Sequence, residues 1–369
     1  MAGARQERVT LQQVAAELGV SAKTVSNAYS RPDQLSAALR ERVLAVADRL
    51  GYPGPDPLAA GLRRGRVGAL GVAYANSLSY AFEDPVSVAL LAGITSVAEE
   101  SGTGLLLASG SAMPGRAGAV ATAVIDGLIV ASLSDDDPAL HAALARRLPL
   151  VVLDQPDADR LVDRNGQHPP WIGVDDRAAA AGAARHVLDL GHRRLAVVSF
   201  ALGRPPVRAL VDEPAQWSTI YAVTRRRLAG YRDAAVRAGL DWSTVPVATG
   251  TDSTVAEGAA AAATLLERSP PPTALLCLSD RLAEGALRTA ERLGLQVPRD
   301  VSVVGFDDAE PAARLGLTTV RQPHRRKGEL AATALLDLLA GRTPEPVRQL
   351  PTELVVRKST GSVGSSSLG

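Results

Sequence analysis

Apolar side chains in the first fifty residues recur at the three- and four-residue spacing of amphipathic α-helices. In VTLQQVAAELGVS, Thr10 and Gln13 form a capping box, and Gly19 ends the helix. Ser21 caps a second helix, AKTVSNAY, after a short turn, and Ser36 caps a third. The spacing therefore predicts an all-α module of three short helices.

From Val67 onward, short apolar runs alternate with alanine-rich helical stretches. The runs are VGALGVAYA, GLLLAS, DGLIVAS, LPLVVLD, RRLAVVSF, PTALLCLSD and DVSVVGFDD. Strands of this kind, separated by helices, predict parallel sheets covered on both faces, and about 290 residues leave room for two. The chain ends in STGSVGSSSLG from Ser359, which is rich in serine and glycine, and we expect this tail to be disordered.

These patterns divide the chain into four segments. We expect a helical headpiece at 1–53, a hinge helix or linker at 54–66, an α/β body at 67–357 and a disordered tail at 358–369. The net charge of +1 is unevenly distributed, since residues 1–66 carry +4 and the remainder −3. This split indicates a small basic module joined to a neutral or acidic body.

Composition and motifs exclude several classes of protein. A single cysteine, Cys277, excludes an internal disulfide and a thiolate metal cluster. No run approaches the ~18–20 apolar residues of a membrane span and nothing resembles a signal peptide, so we expect a cytoplasmic protein. The sequence has no GxSxG elbow, P-loop or metal-spaced histidine pair, so we expect no enzyme, cofactor or metal. A transport binding protein would need a secretion signal and would not use the headpiece.

The second helix has one polar face. At about 100° per residue, Ala22, Lys23, Ser26 and Asn27 face outward together. Lys23 can donate to guanine, Asn27 can pair bidentately with adenine, and the Ala22 methyl can contact a thymine methyl. A small three-helix bundle of any function also has a polar face, so this feature alone leaves DNA binding open.

Residues 8–357 carry a resemblance to a known family. VTLQQVAAELGVSAKTVSNAYS, followed by LSAALRERVLAVADRLGY, resembles the DNA-binding headpiece of the lac repressor family. The resemblance continues through GHRRLAVVSF, RRRLAGYRDA, LCLSDRLAEGALRTAERLGLQVPRDVSVVGFDD and LTTVRQP. It implies a helix-turn-helix whose second helix lies in the major groove of operator DNA. The residues assigned to DNA in the headpiece are Thr10, Ser21, Ala22, Lys23, Thr24, Ser26 and Asn27, with Ser21, Thr24 and Ser26 on phosphates.

The resemblance also implies the function of the stretch GPDPLAAGLRRGR at 54–66. In this family the segment forms a helix on the operator, and a leucine enters the minor groove. Asp56 and Pro57 encode a helix start, and we assign Leu62 as the wedge with Arg63 near a phosphate. Leu62 lies one residue further along than the usual family spacing, and a plain linker remains the alternative.

The family body resembles the type I periplasmic sugar-binding proteins, in which two α/β subdomains close on a small ligand and the chain crosses between them three times. Asp154 and Asp280 fall where the family motifs place ligand-contacting acids, and Arg227 falls on the ligand-contacting arginine. Both acids end strand runs, where ligands of open α/β sheets bind. Carboxylates and a guanidinium suit a polyol. The alternative is that Asp154 and Asp280 cap the helices that follow.

Two departures from the family pattern concern aromatic residues. Val86 and Ser87 stand where relatives have ligand-stacking aromatics, so we assign Phe82, which with Tyr80 lies upstream, to the effector site. The connection at 201–224 is longer than usual. It is either a lid that turns Trp217 and Tyr221 into the cleft or a surface excursion.

The sequence thus predicts a ligand-responsive transcriptional regulator. We expect a repressor that a sugar or sugar derivative releases from its operator. The resemblance implies a homodimer in which each headpiece reads one half of a near-palindromic operator. A co-repressor-dependent regulator that responds to a purine-type metabolite is the alternative.

Overall fold

The computed structural model describes five stretches of the chain. They are residues 9–54, 66–74, 77–109, 118–162 and 166–363. The chain forms two compact units, Met1–Gly68 and Ala69–Gly369. The predictions for Leu62 and Arg63 lie outside the described residues. Within those residues, none of the helices combines the length and apolar character needed to cross a membrane.

The described part of the first unit contains three α-helices, as the sequence predicted. They are α1 (Leu11–Leu18), α2 (Ala22–Ser30) and α3 (Ala37–Leu50). Thr10 and Gln13 form the predicted capping box, and the Ser21 and Ser36 side chains cap α2 and α3. A small apolar core centred on Val14, Val25 and Val43 fixes the three helices against one another.

The second unit contains two sheets whose strands number thirteen among the described residues. The strands are β1 (Ala69–Tyr74), β2 (Gly104–Ser109), β3 (Gly127–Ala131), β4 (Leu150–Leu153), β5 (Trp171–Val174), β6 (Leu195–Ser199), β7 (Ala209–Val211), β8 (Val247–Thr249), β9 (Ala274–Cys277), β10 (Ser302–Asp307), β11 (Thr318–Arg321), β12 (Val347–Leu350) and β13 (Glu353–Val355). One sheet has the order β12-β5-β4-β3-β1-β2, and the other has the order β13-β11-β10-β9-β6-β8-β7. We call them the first and second subdomains.

Helices cover both faces of these sheets. They are α4 (Leu78–Glu83), α5 (Pro85–Glu100), α6 (Ala119–Thr122), α7 (Pro138–Ala145), α8 (Asp176–Asp189), α9 (Glu213–Trp217), α10 (Ala222–Arg237), α11 (Val255–Leu266), α12 (Asp280–Arg292), α13 (Glu310–Arg314) and α14 (His324–Leu339). In the first subdomain, Ile94 and Leu335 pack on one face of the sheet, and Leu140 packs on the other. The predicted pair of doubly wound subdomains is confirmed.

The chain crosses between the subdomains three times. It leaves the first sheet after β5, returns between β11 and α14, and leaves again between β12 and β13. The strands within each sheet are parallel except β7 and β13, which are antiparallel edge strands that the apolar runs did not predict. The crossings bring the carboxyl ends of the central strands of both sheets to one seam.

The predicted disorder of the tail is wrong for its first residues. Ser359 is buried; its hydroxyl donates to the Val303 carbonyl (2.6 Å) and accepts from the Thr318 amide (2.8 Å). The Gly361 carbonyl lies 2.9 Å from His192 Nε2. A serine- and glycine-rich segment can be ordered in this way because its hydrogen bonds, rather than apolar burial, hold it to the second sheet.

Two glycines allow α5 and α14 to pack at backbone contact distance. A Cβ at Gly93 would lie 2.0 Å from the Arg325 carbonyl oxygen, and one at Gly328 would lie 2.1 Å from that of Leu90. Both distances are far below van der Waals contact, so any side chain at either position would force the helices apart.

We expect Gly328→Ala to lower the free energy of unfolding by about 1–3 kcal/mol, as overpacking does in a tight contact. Urea denaturation measures the change. Gly182→Ala in α8 is the matched control, because a Cβ there meets nothing within 4 Å. It should raise the free energy of unfolding by up to about 1 kcal/mol, the gain of alanine over glycine in a helix. Equal effects of the two substitutions would contradict the close approach of α5 and α14.

Candidate functional sites

The amino-terminal half of α2 presents the polar face that the sequence predicted. Ala22 and Lys23 are exposed and Asn27 is half-buried, whereas Val25 and Ala28 are buried in the headpiece core. The helix therefore keeps its apolar side inward and its predicted base-reading side chains outward.

Hydrogen bonds within the headpiece hold this face. The Ser21 hydroxyl lies 2.8 Å from Thr24 Oγ1 and accepts from the Thr24 amide at 3.0 Å. Asn27 Nδ2 donates to Gln34 Oε1 at 3.2 Å, and Ser26 is half-buried beside it. The side chains are thus oriented at the start of α2, where helix amides and dipole favour a phosphate.

A cavity of about 200 Å³ lies at the seam between the two subdomains. Its described lining comes from both sheets and includes four carboxylates, Asp84, Asp154, Asp252 and Asp307. Arg227 from α10 lines it as well. The predicted pair of Asp154 and Arg227 is therefore brought to one cavity.

Arg227 is held in place by buried partners. Its Nε donates to Asp176 Oδ1 at 2.8 Å, its Nη1 donates to the Leu278 carbonyl, and Asp307 Oδ1 lies 3.9 Å from Nη1. The guanidinium carbon stands 3.7 Å from the centroid of the Phe306 ring. Burial raises the pKa of both Asp176 and Asp307, and the positive charge of Arg227 opposes that rise.

A buried lysine extends this network to the first subdomain. Lys327 on α14 is 1% exposed; its Nζ donates to Asp154 Oδ1 at 2.6 Å and to Gln322 Oε1 at 2.7 Å. Gln322 Nε2 in turn donates to Asp307 Oδ1 at 2.8 Å. An unbroken chain of contacts therefore runs from the end of β10 to the end of β4.

The structure does not place Asp280 in the described lining of the cavity, and its assignment to the ligand site stays a prediction. Its Oδ2 accepts from the Ala309 amide at 2.8 Å and its Oδ1 from Thr319 Oγ1 at 2.5 Å, outside the cavity lining. Ser279 is the helix cap, so Asp280 is the first helical residue and turns toward β11. Burial raises the pKa of Asp280 to about 6. Asp307, the last residue of β10 in the next run DVSVVGFDD, lines the cavity.

Phe82 also lies outside the described lining of the cavity, and its assignment to the effector site stays a prediction. Phe82 is 63% exposed, whereas Tyr80 lines the cavity and donates from its hydroxyl to the Ser253 carbonyl at 3.2 Å. Both residues lie on α4, and two positions along a helix are about 200° apart. Only one of them can therefore face the cavity.

Trp217 lies outside the cavity, while Tyr221 lines it. The Trp217 ring packs on the apolar core of the second subdomain, and its Nε1 donates to Glu213 Oε1 at 3.3 Å. The Arg232 guanidinium carbon lies 5.2 Å from the centroid of the Trp217 ring. Because α9 ends at Trp217 and α10 begins at Ala222, the two aromatics do not share one helix face.

The long connection at 201–224 is built into the second subdomain as β7 and α9, and it also contacts the first. Arg204 donates to Asp136 Oδ1 (2.7 Å), Asp137 Oδ2 (3.3 Å) and Ser134 Oγ (2.8 Å), which follow β3. Beside it, Arg225 donates to Asp157 at 2.5 Å. These contacts join the two subdomains.

Several residues of the seam were not predicted from the sequence; they include Tyr74, Asp84, Asp252, Asp307, Gln322, His324 and Lys327. Asp307 had a signal, because it ends a strand run in the same way as Asp154. Lys327 and His324 had none, because a lysine or histidine in a helix of mixed polarity is ordinarily exposed.

Comparisons with known proteins agree with this architecture. The model of bacterial regulatory proteins of the lacI family matches residues 10–54, and that of the periplasmic binding protein-like domain matches residues 184–360. The chain is 43% identical over 357 residues to the HTH-type transcriptional regulator Rv3575c of Mycobacterium tuberculosis, covering 96% of this chain and 97% of that protein.

Two solved structures are similar over almost the whole chain. The lac repressor dimer bound to operator and the anti-inducer ONPF has a TM-score of 0.74 and 27% identity, covering 96% of this chain and 100% of that one. The complex of the transcriptional regulator CelR with cellobiose has a TM-score of 0.67 and 29% identity, covering 95% and 100%. The protein therefore belongs to the lacI family of bacterial regulatory proteins and is a DNA-binding transcriptional regulator.

Proposed function

We propose that this regulator is a repressor and that a small sugar or sugar derivative releases it from its operator. The observation that carries the proposal is the cavity at the seam, because its polar lining is contributed by both subdomains. A ligand that contacts Asp154 on one side and Arg227 on the other has a different affinity for each relative orientation of the subdomains. Such a difference is what a conformational switch requires. The similar regulator CelR has been solved with cellobiose.

In this proposal α2 reads the operator. Lys23, Asn27 and Ala22 contact base edges, while Thr10, Ser21, Thr24 and Ser26 position the headpiece. Leu62 of the hinge segment enters the minor groove, and Arg63 lies near a phosphate. Two copies of the chain form a homodimer, and each headpiece reads one half of a near-palindromic site.

The test is a thermal-shift screen of sugars, sugar phosphates and nucleobases, followed by operator binding measured by fluorescence anisotropy with each ligand found. We expect a sugar to raise the melting temperature and to weaken operator binding. A nucleobase that strengthens operator binding would replace the proposal with a co-repressor mechanism.

Substituting the base-reading side chains should relax sequence preference. We expect Lys23→Ala and Asn27→Ala each to cost about 1–3 kcal/mol on the operator and much less on scrambled DNA of the same length. Arg49→Ala is the matched control, because Arg49 lies on α3, is 62% exposed and pairs with Glu17. Equal losses on operator and scrambled DNA for the α2 variants would contradict the assigned base contacts.

Substituting residues at the seam should weaken effector binding and leave operator binding by the headpiece unchanged. Asp307→Asn and Arg227→Lys should weaken effector binding about ten- to hundredfold, the range for hydrogen bonds to charged groups, and leave operator affinity unchanged. Calorimetry and anisotropy measure the two affinities. Asp233→Asn is the control, since Asp233 pairs with Arg177 away from the cavity. A seam variant that responds to effector like wild type would remove its residue from the site.

A further inference from the structure

The long connection at 201–224 leaves the second sheet after β6 and ends at α10, yet Arg204 near its start contacts the first subdomain. Arg204 Nη2 donates to Asp136 Oδ1 at 2.7 Å and to Ser134 Oγ at 2.8 Å. Its Nη1 donates to Asp137 Oδ2 at 3.3 Å. The acceptors belong to one loop, SDDD at 134–137, which follows β3. Because a guanidinium holds its donors in a fixed planar fork, this contact specifies position as well as charge.

The far end of the connection contacts the same loop. The Asp135 amide donates to the Ile220 carbonyl at 3.0 Å, and the Ile220 amide donates to the Leu202 carbonyl at 3.1 Å. The two ends of the connection are therefore tied together where they meet the first subdomain. The Val223 amide extends the contact to the loop after β4, since it donates to Gln155 Oε1 at 2.9 Å.

Arg225 on the first turn of α10 adds a second cation to this contact. Its Nη2 donates to Asp157 Oδ2 at 2.5 Å and lies 3.4 Å from Asp135 Oδ2. Its Nη1 donates to the Thr219 carbonyl at 2.9 Å, which holds the side chain against the connection. Arg204 and Arg225 thus engage the loops after β3 and β4 from the same side. We call the contacts of these two arginines with Asp135, Asp136, Asp137 and Asp157 the clasp.

The two sides of the clasp carry opposite charge. The first subdomain supplies four acids, and Arg226 of the second subdomain pairs with Asp157 as well. Within the first subdomain, Arg160 pairs with Asp135 and Asp157, and its side chain is 62% exposed. Acids held this close repel one another, so cations from the second subdomain relieve a repulsion as well as forming ion pairs.

The clasp lies away from the first crossing of the chain between the subdomains. That crossing follows β5, and β4 separates β5 from β3 in the sheet. Neighbouring strands are ~4.8 Å apart, so β3 lies about 10 Å from β5. A rotation at the crossings therefore moves Arg204 relative to the loop at 134–137. Its hydrogen bonds break once the donor–acceptor distance exceeds about 3.5 Å.

The clasp also stays in contact with water. The side chain of Arg204 is 36% exposed and that of Arg225 is 22% exposed. Salt screens such pairs, since the Debye length falls from ~10 Å at 0.1 M to ~3 Å at 1 M. One pair of this kind stabilises a contact only weakly. Several together bias the orientation of the subdomains without locking it.

We infer that the connection at 201–224 fastens the second subdomain to the first through the clasp, and that the clasp sets the proportion of chains in the orientation of this structure. This proportion falls as ionic strength rises, because salt screens the charges of the clasp. The inference goes beyond the proposed effector function and does not rest on it, since the clasp consists of side chains of the protein itself.

The experiment measures the distance between the subdomains in the full-length protein by double electron–electron resonance. Spin labels are attached through Ala145→Cys on α7 and Val236→Cys on α10, both at exposed positions. Cys277 is fully buried and does not take up label. Labelled chains are mixed with an excess of unlabelled protein, so that the measured distance lies within one chain. A second distance marks chains in which the clasp is released.

Arg204→Ala combined with Arg225→Ala should raise the ratio of released to clasped chains about three- to tenfold at low salt, the effect of two weak contacts. Raising NaCl to about 1 M should increase the ratio in the wild type by a similar factor and leave that of the double variant nearly unchanged. Arg208→Ala is the matched control, because Arg208 lies on the same connection but pairs with Glu257 of its own subdomain at 2.6 Å. It should leave the ratio unchanged.

A double-mutant cycle isolates the pair that joins the subdomains. Arg204→Ala should change the ratio less in an Asp136→Asn background than in the wild type, because the pair is already weakened there. Asp137 is kept intact in the cycle because its side chain also caps α7.

Three results would overturn the inference. The first is a wild-type distance distribution that does not change with salt, a measurement that needs no clasp variant. The second is an effect of Arg208→Ala equal to that of Arg204→Ala, because a loosened connection would then explain both. The third is an equal effect of Arg204→Ala in the two backgrounds of the cycle. None of these results bears on the proposed effector function, which the ligand screen tests separately.

Discussion

The body of this protein depends on the pairing of charges buried at the seam of two sheets. Asp176 and Lys327 are each about 1% exposed, and an ion that far from water is tolerated only with a partner of opposite charge. Arg227 supplies that partner for Asp176, and Asp154 supplies it for Lys327. The seam is therefore fixed by hydrogen-bonded pairs rather than by apolar packing alone.

These pairs also connect the two subdomains. Asp307 belongs to the second sheet and Asp154 to the first, and Gln322 and Lys327 join them through three hydrogen bonds of 2.6–2.8 Å. Gln322 and Lys327 lie where the chain crosses from β11 to α14. Any change in the angle between the subdomains must bend the backbone at such a crossing. The hydrogen bonds of Gln322 and Lys327 thus couple Asp154 in one subdomain to Asp307 in the other.

The local sequence pattern was sufficient to predict much of the fold, because helix caps and apolar runs are encoded within a few residues. The headpiece helices and the central strands followed from Thr10, Ser21, Ser36 and the apolar runs. The site was harder to predict, since it depends on which way a side chain turns at an element end. Asp280 and Asp307 both follow strand runs, yet helix geometry turns one away from the cavity. The ordered tail at Ser359 depends on distant partners that local composition does not reveal.

The glycine contact between α5 and α14 has a mechanical consequence. With backbones touching at Gly93 and Gly328, the two helices form a single stiff block with the first sheet. His324 and Lys327 are carried on that block, whereas Arg227 and Asp307 are carried on the second subdomain. A change in the angle between the subdomains therefore moves these two groups of residues relative to each other, while the distances within each group stay nearly fixed.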